Sequence, residues 1–348
     1  SRAVDVVQDG SATFTVGGSP GVFYVLVRGV GESTGPFTVG ASALDVYVEA
    51  LPAPASDPGG PSGSPGRSTS EGAIAGDQPV AVIPLDVPAG TGVAIEVLPD
   101  AAFDPVLEVI SPDGATETID FGGDGVPEFA TKWVGGLYEL RITGFQGSTG
   151  SFQIGTSAFE TAERLGEEPV GGSIDSEFDS MAFEFEGSGG LAGINVAPSG
   201  LLDPVLLIVD PAGATTLRDM AGEDPESIVF ATEPGRYQLV VAGYGDTTGT
   251  FELAVTAPEV ASLNVSTQVA GSIPNPGNVA VYEVATDGSE LAVTVVPSGG
   301  LDALVEVADE PLFFALSEEQ GGVIEGTIGP REEGTVVLVV SGIWGATG

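Results

Sequence analysis

The sequence contains no cysteine and no histidine, and these two absences remove most of the common active-site chemistry. Without cysteine the chain can form no disulfide framework, no thiolate nucleophile and no thiolate metal site. Without histidine it lacks the commonest general base and the commonest ligand of transition metals. We therefore expect a protein that is not an enzyme and that requires no cofactor.

Basic residues and long apolar runs are also scarce. The chain has 9 Lys and Arg against 50 Asp and Glu, a formal charge of −41, which would repel nucleic acid and an anionic membrane surface. No stretch approaches the ~20 apolar residues of a transmembrane helix, and no signal segment opens the chain. We expect no nucleic-acid partner and no membrane span. Strong acidity suits an extracellular or cell-surface location, where cations screen the repulsion.

What the sequence has in abundance is turn residues between short apolar alternations. With 53 Gly, 26 Pro and 42% hydrophobic residues, it is predicted to be all-β. Four segments share one signature, a β-rich run, a glycine, a variable tip and Thr-Gly: VLVRGVGESTG, ELRITGFQGSTG, LVVAGYGDTTG and LVVSGIWGATG. The Thr-Gly step is expected to be a hairpin turn before the strand that follows.

This periodicity predicts tandem antiparallel β-sandwich domains, jelly-roll or Ig-like, joined by short linkers. The expected divisions are a partial repeat over 1–51, a Pro/Gly/Ser-rich linker over 52–70, and sandwich repeats over 71–158, 159–257 and 258–348. In the second repeat the alternation predicts these core residues: Val93, Ile95, Val97, Leu107, Val109, Tyr138, Leu140 and Ile142.

The second and third repeats share a further motif, FDPVLEVISPDG from Phe103 and LDPVLLIVDPAG from Leu202. An acidic Gly-rich loop, Gly-x-Tyr-x-Leu and Gly-x-Phe follow in order. This series resembles the bacterial pre-peptidase C-terminal (PPC) domain, well in these two repeats and weakly in the fourth. The resemblance implies a jelly-roll-like sandwich of the kind that serves as an accessory module of secreted hydrolases or surface proteins. Some such modules bind polysaccharide, collagen or calcium.

Catalytic alternatives have little support in the residues. Gly17-Gly-Ser-Pro-Gly21 matches the Gly-x-Ser-x-Gly pattern but has no histidine to complete it. Lys132 could pair with a serine, although a solvated loop lysine is the simpler interpretation. Two Trp in the whole chain provide too few sugar platforms for a glycosidase cleft.

Calcium is the chemical hypothesis with the most support, because hard cations take several oxygen ligands from a loop. The candidate ligands are Asp113, Asp120 and Asp124 in the second repeat, and Asp210, Asp219 and Asp224 in the third, with Glu128 and Glu226 beside them. Their spacing matches no EF-hand. The alternative is that they are solvated loop acids and turn formers. Asp104 and Asp203 precede proline and are expected only to set the start of a strand.

Aromatic residues at the signature tips are candidate interface residues. Phe145, Tyr244 and Trp344 are assigned to equivalent tip positions, with Val30 as the counterpart in the first repeat. Exposed, they would be contacts for a partner. The alternative is packing against the loop of a neighbouring domain.

Aligned on the signatures, Ser1 falls inside a repeat, and the fourth repeat lacks its final strand. We therefore expect a structural subunit of an extracellular filament, stalk or surface layer, a head-to-tail homopolymer of β-sandwich domains. Strand exchange between subunits is one form that this assembly could take. The alternative is an accessory region of a secreted hydrolase or adhesin that binds carbohydrate, protein or calcium.

Overall fold

Short apolar alternations separated by Gly and Pro fold into β-strands along the described chain. The computed structural model describes residues 47–48, 67–76, 78–159, 162–166, 168–219, 222–308, 310–316, 321–329, 334–343 and 346–348. Within these ranges, helical structure consists of one 3₁₀ turn at Phe145–Gly147. None of the described residues forms a helix that is long and apolar enough to cross a membrane.

The second repeat is a two-layer antiparallel sandwich. Its strands are β1 (Tyr47–Val48), β2 (Arg67–Ile74), β3 (Ala81–Val87), β4 (Gly92–Pro99), β5 (Pro105–Ile110), β6 (Thr116–Ile119), β7 (Glu128–Lys132), β8 (Gly136–Gly144) and β9 (Gly150–Phe159). One sheet has five strands in the order β1-β3-β8-β5-β6, and the other has four in the order β2-β9-β4-β7. Only β1 joins its sheet in parallel, against β3.

The third repeat has the same topology. Its strands are β10 (Glu163–Arg164), β11 (Val170–Ile174), β12 (Ser180–Gly187), β13 (Leu191–Gly200), β14 (Pro204–Val209), β15 (Thr215–Arg218), β16 (Glu226–Ala231), β17 (Gly235–Gly243) and β18 (Gly249–Thr256). The five-stranded sheet runs β10-β12-β17-β14-β15 and the four-stranded sheet β11-β18-β13-β16. The all-β, multi-sheet sandwich prediction is confirmed.

The fourth repeat keeps the five-stranded sheet, in the order β19-β20-β25-β22-β23, while in its second sheet the described residues form one strand pair, β21 with β24. Its strands are β19 (Val260–Leu263), β20 (Val279–Thr286), β21 (Leu291–Val295), β22 (Ala303–Val307), β23 (Glu310–Leu316), β24 (Ile324–Ile328) and β25 (Gly334–Gly342). Ile273 and Gly348 exchange two backbone hydrogen bonds of 2.7 and 3.0 Å. Ile174 and Gly249 form the corresponding strand pair in the third repeat.

The predicted core of the second repeat is confirmed. All eight residues expected from the alternation belong to one buried cluster between its two sheets. The Tyr138 hydroxyl donates to the Val134 carbonyl at 2.8 Å, so the ring is buried while its polar end is satisfied. The third repeat uses the Tyr237 hydroxyl in a related way, accepting the Glu233 N–H at 2.8 Å.

Strands extend beyond two of the expected segment boundaries. β2 begins at Arg67, four residues inside the stretch assigned to the linker, and pairs with β9 along its length. β1 lies in the segment assigned to the first repeat, yet it pairs with β3 of the second. The rest of residues 1–66 lies outside the described residues, including the Gly17–Gly21 match and Val30.

The hairpin expected at the Thr-Gly signature is wrong. β8 and β9 flank this loop in the second repeat but belong to different sheets, and so do β17 and β18 in the third. The loop therefore carries the chain across the sandwich, a role that needs the same turn residues as a hairpin. The Pro-Asp-Gly turn does close a hairpin, between β5 and β6.

Candidate functional site

The outer faces of the sheets form the contacts between successive repeats. At junction 2/3, the contact between the second and third repeats, the four-stranded sheet of the second packs on the five-stranded sheet of the third, with β9 against β12 and β7 against β15. One buried apolar cluster spans it, made of Phe129 and Phe159 from the second repeat with Ala182, Val205, Leu207, Val240 and Ala242 from the third. Both faces are thereby removed from water, which is the main source of stability for such a contact.

A turn of the third repeat inserts a phenylalanine into junction 2/3. Phe178 is buried and lies at a φ of 58°, a backbone region that side chains other than glycine rarely adopt. Its ring covers Gly155 of β9 so closely that a Cβ at Gly155 would lie 2.1 Å from the ring. A glycine in the second repeat thus makes room for an aromatic ring of the third.

A buried acid also faces junction 2/3. Glu96 on β4 accepts a hydrogen bond from the backbone N–H of Gly245 in the third repeat, while its Oε1 has no partner. Burial, and then the nearby charge of Glu177, raise the pKa of Glu96 from 4.5 to about 8. The carboxyl is therefore held largely in its neutral form at this contact.

An ion pair links the rim of the same junction. Arg67 on β2 contacts the Asp179 carboxylate at 2.9 Å and donates to the Ser176 hydroxyl, both in the third repeat. The Asp179 side chain is buried, whereas the Arg67 side chain is partly exposed. β2, which begins inside the predicted linker, therefore contacts the next repeat through the side chain of Arg67.

At junction 3/4, the contact between the third and fourth repeats, the same pair of sheets meets with different side chains. The buried apolar cluster is smaller and consists of Val229 from the third repeat with Val281, Ala308 and Val339 from the fourth. The Ala231 N–H donates to the Ala308 carbonyl across the contact at 3.3 Å. Small aliphatic residues replace the phenylalanines of junction 2/3.

A glycine turn takes the place of Phe178 at junction 3/4. The Gly277 carbonyl accepts hydrogen bonds from Asn195 Nδ2 at 3.2 Å and from Ser227 Oγ at 2.7 Å. Gly277 has a φ of 76°, and a Cβ there would lie 2.5 Å from Asn195 Nδ2. The turn approaches the third repeat closely because Gly277 has no side chain.

Charged residues meet across junction 3/4. Arg218, the last residue of β15, binds Glu306 of β22 in a two-pronged ion pair of 2.6 and 3.0 Å. Its Nε lies 3.6 Å from the Glu226 carboxylate of its own repeat. All three side chains are buried. Two acids therefore share one arginine away from water.

Strand registers identify the counterparts of these residues at junction 2/3. Leu107 pairs with Ile119 as Leu206 pairs with Arg218, so Ile119 corresponds to Arg218. Leu207 pairs with Val240 as Glu306 pairs with Val339, so Leu207 corresponds to Glu306. The ionic pair of one junction is thus replaced by two aliphatic residues at the other.

The candidate calcium ligands do not gather as a set. Asp113 lies in the β5–β6 turn, where its carboxylate accepts the Ala115 N–H at 3.1 Å, and Asp210 accepts the Ala214 N–H at 2.8 Å. Both are turn formers, the alternative that the sequence left open. Among the described residues, no group of three or more acidic side chains is positioned to hold a metal ion.

Asp120, Asp124 and Asp219 lie near Asp104 and Asp203, which the sequence assigned only to strand starts. Burial and the charges of Asp120 and Asp124 raise the pKa of Asp104. Burial, with Asp203 nearby, raises the pKa of Asp219 to about 6. Asp224 is the next residue after Glu223, and burial, followed by the charge of Glu223, raises the pKa of Asp203. The Asp-Pro step that both repeats share was the sequence signal that acids lie near Asp104 and Asp203. Calcium binding stays a prediction.

Glu128 is fully buried beside this loop and has a structural contact of its own. Both carboxylate oxygens accept the Phe121 N–H, at 3.1 and 3.0 Å, which closes the loop over the end of β7. Burial is the main cause that raises its pKa to about 8. Lys132, at the other end of β7, forms an ion pair with Glu117 and is not a solvated loop lysine.

The three candidate tip residues differ in what the structure shows of their surroundings. Phe145 is 42% exposed. Tyr244 packs against the apolar cluster of junction 2/3, on the preceding repeat. Trp344 lies outside the described residues, and its assignment as the equivalent residue is wrong. The Phe145 and Tyr244 N–H groups donate to the Asp104 and Asp203 carbonyls, and the group that donates to Asp302 belongs to Ile343.

Comparison with known proteins gives little further information. No protein-family model matches the chain, and no curated protein is similar to it. One similar solved structure is the arabinofuranosyltransferase AftD from Mycobacteria, with 11% identity and a TM-score of 0.17. The match covers 76% of this chain and 32% of that chain, so this chain spans about a third of that structure's length. A likeness at this level carries no argument about fold or function.

Proposed function

We propose that this chain is a structural subunit of an extracellular filament, stalk or surface layer, built head-to-tail from β-sandwich repeats. The observation that supports this is the repeated use of one contact: the four-stranded face of one repeat packs on the five-stranded face of the next. Such a contact joins two different faces, so it is heterologous and can continue without closing. Repeats joined in this way extend in one direction.

Burial on both sides of the shared sheets supports a stiff stack. Every residue of β14 (Pro204–Val209) and of β22 (Ala303–Val307) is buried, because one face packs in its own core and the other on the preceding repeat. Domains joined only by exposed linkers would leave the second face in water. Two sheets per repeat, each about 10 Å from the next, correspond to roughly 20 Å of axial rise per repeat.

The fourth repeat supports strand addition as part of the assembly. Leu291, Val293 and Val295 of β21 are only half-buried, whereas their counterparts in β13 are buried: Ala192, Ile194 and Val196. In the third repeat β18 covers this position with the sequence GTFELAVT. We propose that a strand of this Gly-x-Phe pattern completes the fourth sandwich by β-augmentation. The strand could come from the same polypeptide or from a neighbouring subunit.

Electron microscopy of the native material, with subunit boundaries traced through the density, tests the proposal. We expect rods that repeat at roughly 20 Å per sandwich and that lengthen as protein concentration rises. A Val240→Asp variant is the control, because a buried charge at junction 2/3 should bend or separate the stack there. Flexible beads, or discrete monomers at all concentrations, would contradict the structural role. They would favour the accessory binding region, which a glycan array and calcium calorimetry would then examine.

A further inference from the structure

The two junctions are alike in topology, but the residues at the positions of Arg218 and Glu306 differ between them. We propose that Arg218 and Glu306 set the order in which these repeats stack: Arg218, on the edge strand β15 of the third repeat's five-stranded sheet, makes this repeat accept a neighbour that carries a carboxylate at the position of Glu306. The inference rests on the stack of the proposed function and assigns its specificity to a residue pair. The partner that Arg218 fits is a sandwich with an acidic residue at the position that Glu306 occupies on β22.

A buried ion pair adds little over a well-packed apolar pair, but removing one partner leaves an uncompensated charge and is strongly destabilising. At junction 3/4 Arg218 satisfies Glu306 through two hydrogen bonds. A face with leucine at this position, as the third repeat has at Leu207, would leave Arg218 without its two-pronged partner. Selectivity here arises from rejecting the wrong neighbour.

Junction 2/3 shows the complementary arrangement. The position of Arg218 is taken by Ile119, which packs in the core of the second repeat. The position of Glu306 is taken by Leu207, which is buried in the apolar cluster of the junction. A fourth-repeat face placed here would bury Glu306 with no arginine opposite. The third repeat, with Arg218, therefore matches a neighbour with an acid at the Glu306 position. The second repeat, with Ile119, matches a neighbour with an apolar residue there.

The absence of cysteine in the chain makes single introduced thiols clean reporters. Val339 and Val336 lie on β25, and both are 1% exposed. Val339 faces junction 3/4, whereas Val336 faces the core of the fourth repeat. In full-length chains, labelling of Val339→Cys by a thiol reagent measures opening of the junction. Labelling of Val336→Cys measures opening of the repeat itself.

Arg218→Ile leaves Glu306 buried without the cation that it binds across the junction. We expect it to accelerate labelling of the Val339→Cys thiol by about 100-fold or more, and to leave the Val336→Cys thiol unchanged. Glu306→Leu should have a smaller effect, because Arg218 keeps Glu226 at 3.6 Å. The double variant Arg218→Ile with Glu306→Leu recreates the residue pair of junction 2/3, and its labelling should return close to the original rate.

The matched control is Arg236→Ile, which removes an arginine of the same repeat whose 3.3 Å ion pair with Glu184 is at the surface. It should not change either thiol. The proposal is overturned if Arg218→Ile behaves like this control, if the double variant labels as fast as Arg218→Ile, or if both thiols accelerate equally. Fast labelling of Val339→Cys in the otherwise unchanged chain is a different result, since it would show that the stack required by the proposed function is absent.

A transfer experiment tests the ordering directly, with Val240→Cys as the reporter of junction 2/3. Leu207→Glu should open this junction, because it buries the carboxylate of the Glu306 position in the apolar cluster while the position of Arg218 is taken by an isoleucine, Ile119. Adding Ile119→Arg should slow labelling again by restoring a charge pair. Failure of this second change to restore protection would overturn the claim that the pair sets the order.

Discussion

Junctions 2/3 and 3/4 join the same two sheet faces, yet they are stabilised by different chemistry. At junction 2/3 aromatic side chains from both repeats fill the contact, and Phe178 covers Gly155. At junction 3/4 the apolar part is small and aliphatic, while Arg218 and Glu306 form a buried ion pair. The sandwich topology is shared by the two junctions, so the side chains that differ between them account for the difference in their chemistry.

One polar position makes the contrast sharper. Glu96 and Asn195 pair with Gly155 and Ala254 at the same place in their sheets, and both face the following repeat. Asn195 donates to Ser227 and Gly277, so it is satisfied at any pH. Glu96 has a raised pKa and an unpartnered oxygen. Junction 2/3 is therefore the more apolar contact, and we expect its stability to fall as Glu96 ionises.

The largest expected effect comes from truncating the aromatic residue of junction 2/3. Phe178→Ala removes a buried ring and should lower the free energy of unfolding by about 3–5 kcal/mol, because the cavity over Gly155 cannot close fully. Denaturant unfolding followed by Trp133 fluorescence measures it, since Trp133 packs against this cluster, with Trp344→Phe as the background. Phe145→Ala is the control, because that ring is 42% exposed. Equal midpoints for the two variants would refute an aromatic anchor.

The next effect is the pH dependence of junction 2/3. Folding raises the pKa of Glu96 from 4.5 to about 8, so the folded chain binds more protons than the unfolded chain between these values. Stability of the contact should therefore be greatest below pH 4.5 and fall as the pH rises towards 8, by up to about 1.4 kcal/mol per pH unit. Glu96→Gln should flatten this dependence.

Thiol reporters separate this effect from other titrating acids. Glu128 also has a pKa of about 8, but it begins β7 of the second repeat and accepts the Phe121 N–H of that repeat's own loop. Labelling of Val240→Cys, normalised to the reagent's rate with a free thiol, should accelerate with pH, while labelling of Val339→Cys at junction 3/4 should not. If Glu96→Gln leaves the Val240→Cys profile unchanged, another group controls the contact.

A smaller effect is expected from adding one methyl group to junction 3/4. Gly277→Ala would place a Cβ 2.5 Å from Asn195 Nδ2 and 2.7 Å from Pro225 Cβ, and should destabilise the contact by about 1–3 kcal/mol. Gly300→Ala is the control for backbone strain alone, since Gly300 has a φ of 90° and open space around its Cα. Similar losses of unfolding free energy for both variants would mean that the close approach of Gly277 contributes nothing.

The sandwich cores were predictable because alternation reports which residues share one face of a strand. Val93, Ile95 and Val97 repeat every second position, and all are buried together. The junctions were not predicted, although β14 carried a signal. Its continuous apolar run, PVLLIV, is typical of a strand buried on both faces, whereas β5 reads PVLEVI with a glutamate facing outward.

The contacts that sequence reasoning missed depend on topology. Arg218 and Glu306 are 88 residues apart, and no local pattern indicates that they meet. The Thr-Gly loops satisfy the same dihedral demands whether they close a hairpin or cross between sheets, so their sequence could not decide between the two. The contact of Arg67 with the third repeat was missed for a third reason. Arg67 lies where the Pro/Gly/Ser-rich composition of the linker ends and a strand begins.

Arg67 provides the smallest expected effect and tests whether the rim of junction 2/3 matters beside its apolar centre. Its ion pair with Asp179 is partly exposed, so Arg67→Ala should reduce stability by less than about 1 kcal/mol, and added salt should reduce the difference further. Arg141→Ala, which removes an ion pair within the second repeat, is the control. A larger loss for Arg67→Ala, persisting at high salt, would show that buried Asp179 requires a cation. The rim of junction 2/3 would then depend on a buried charge pair, as junction 3/4 does on Arg218 and Glu306.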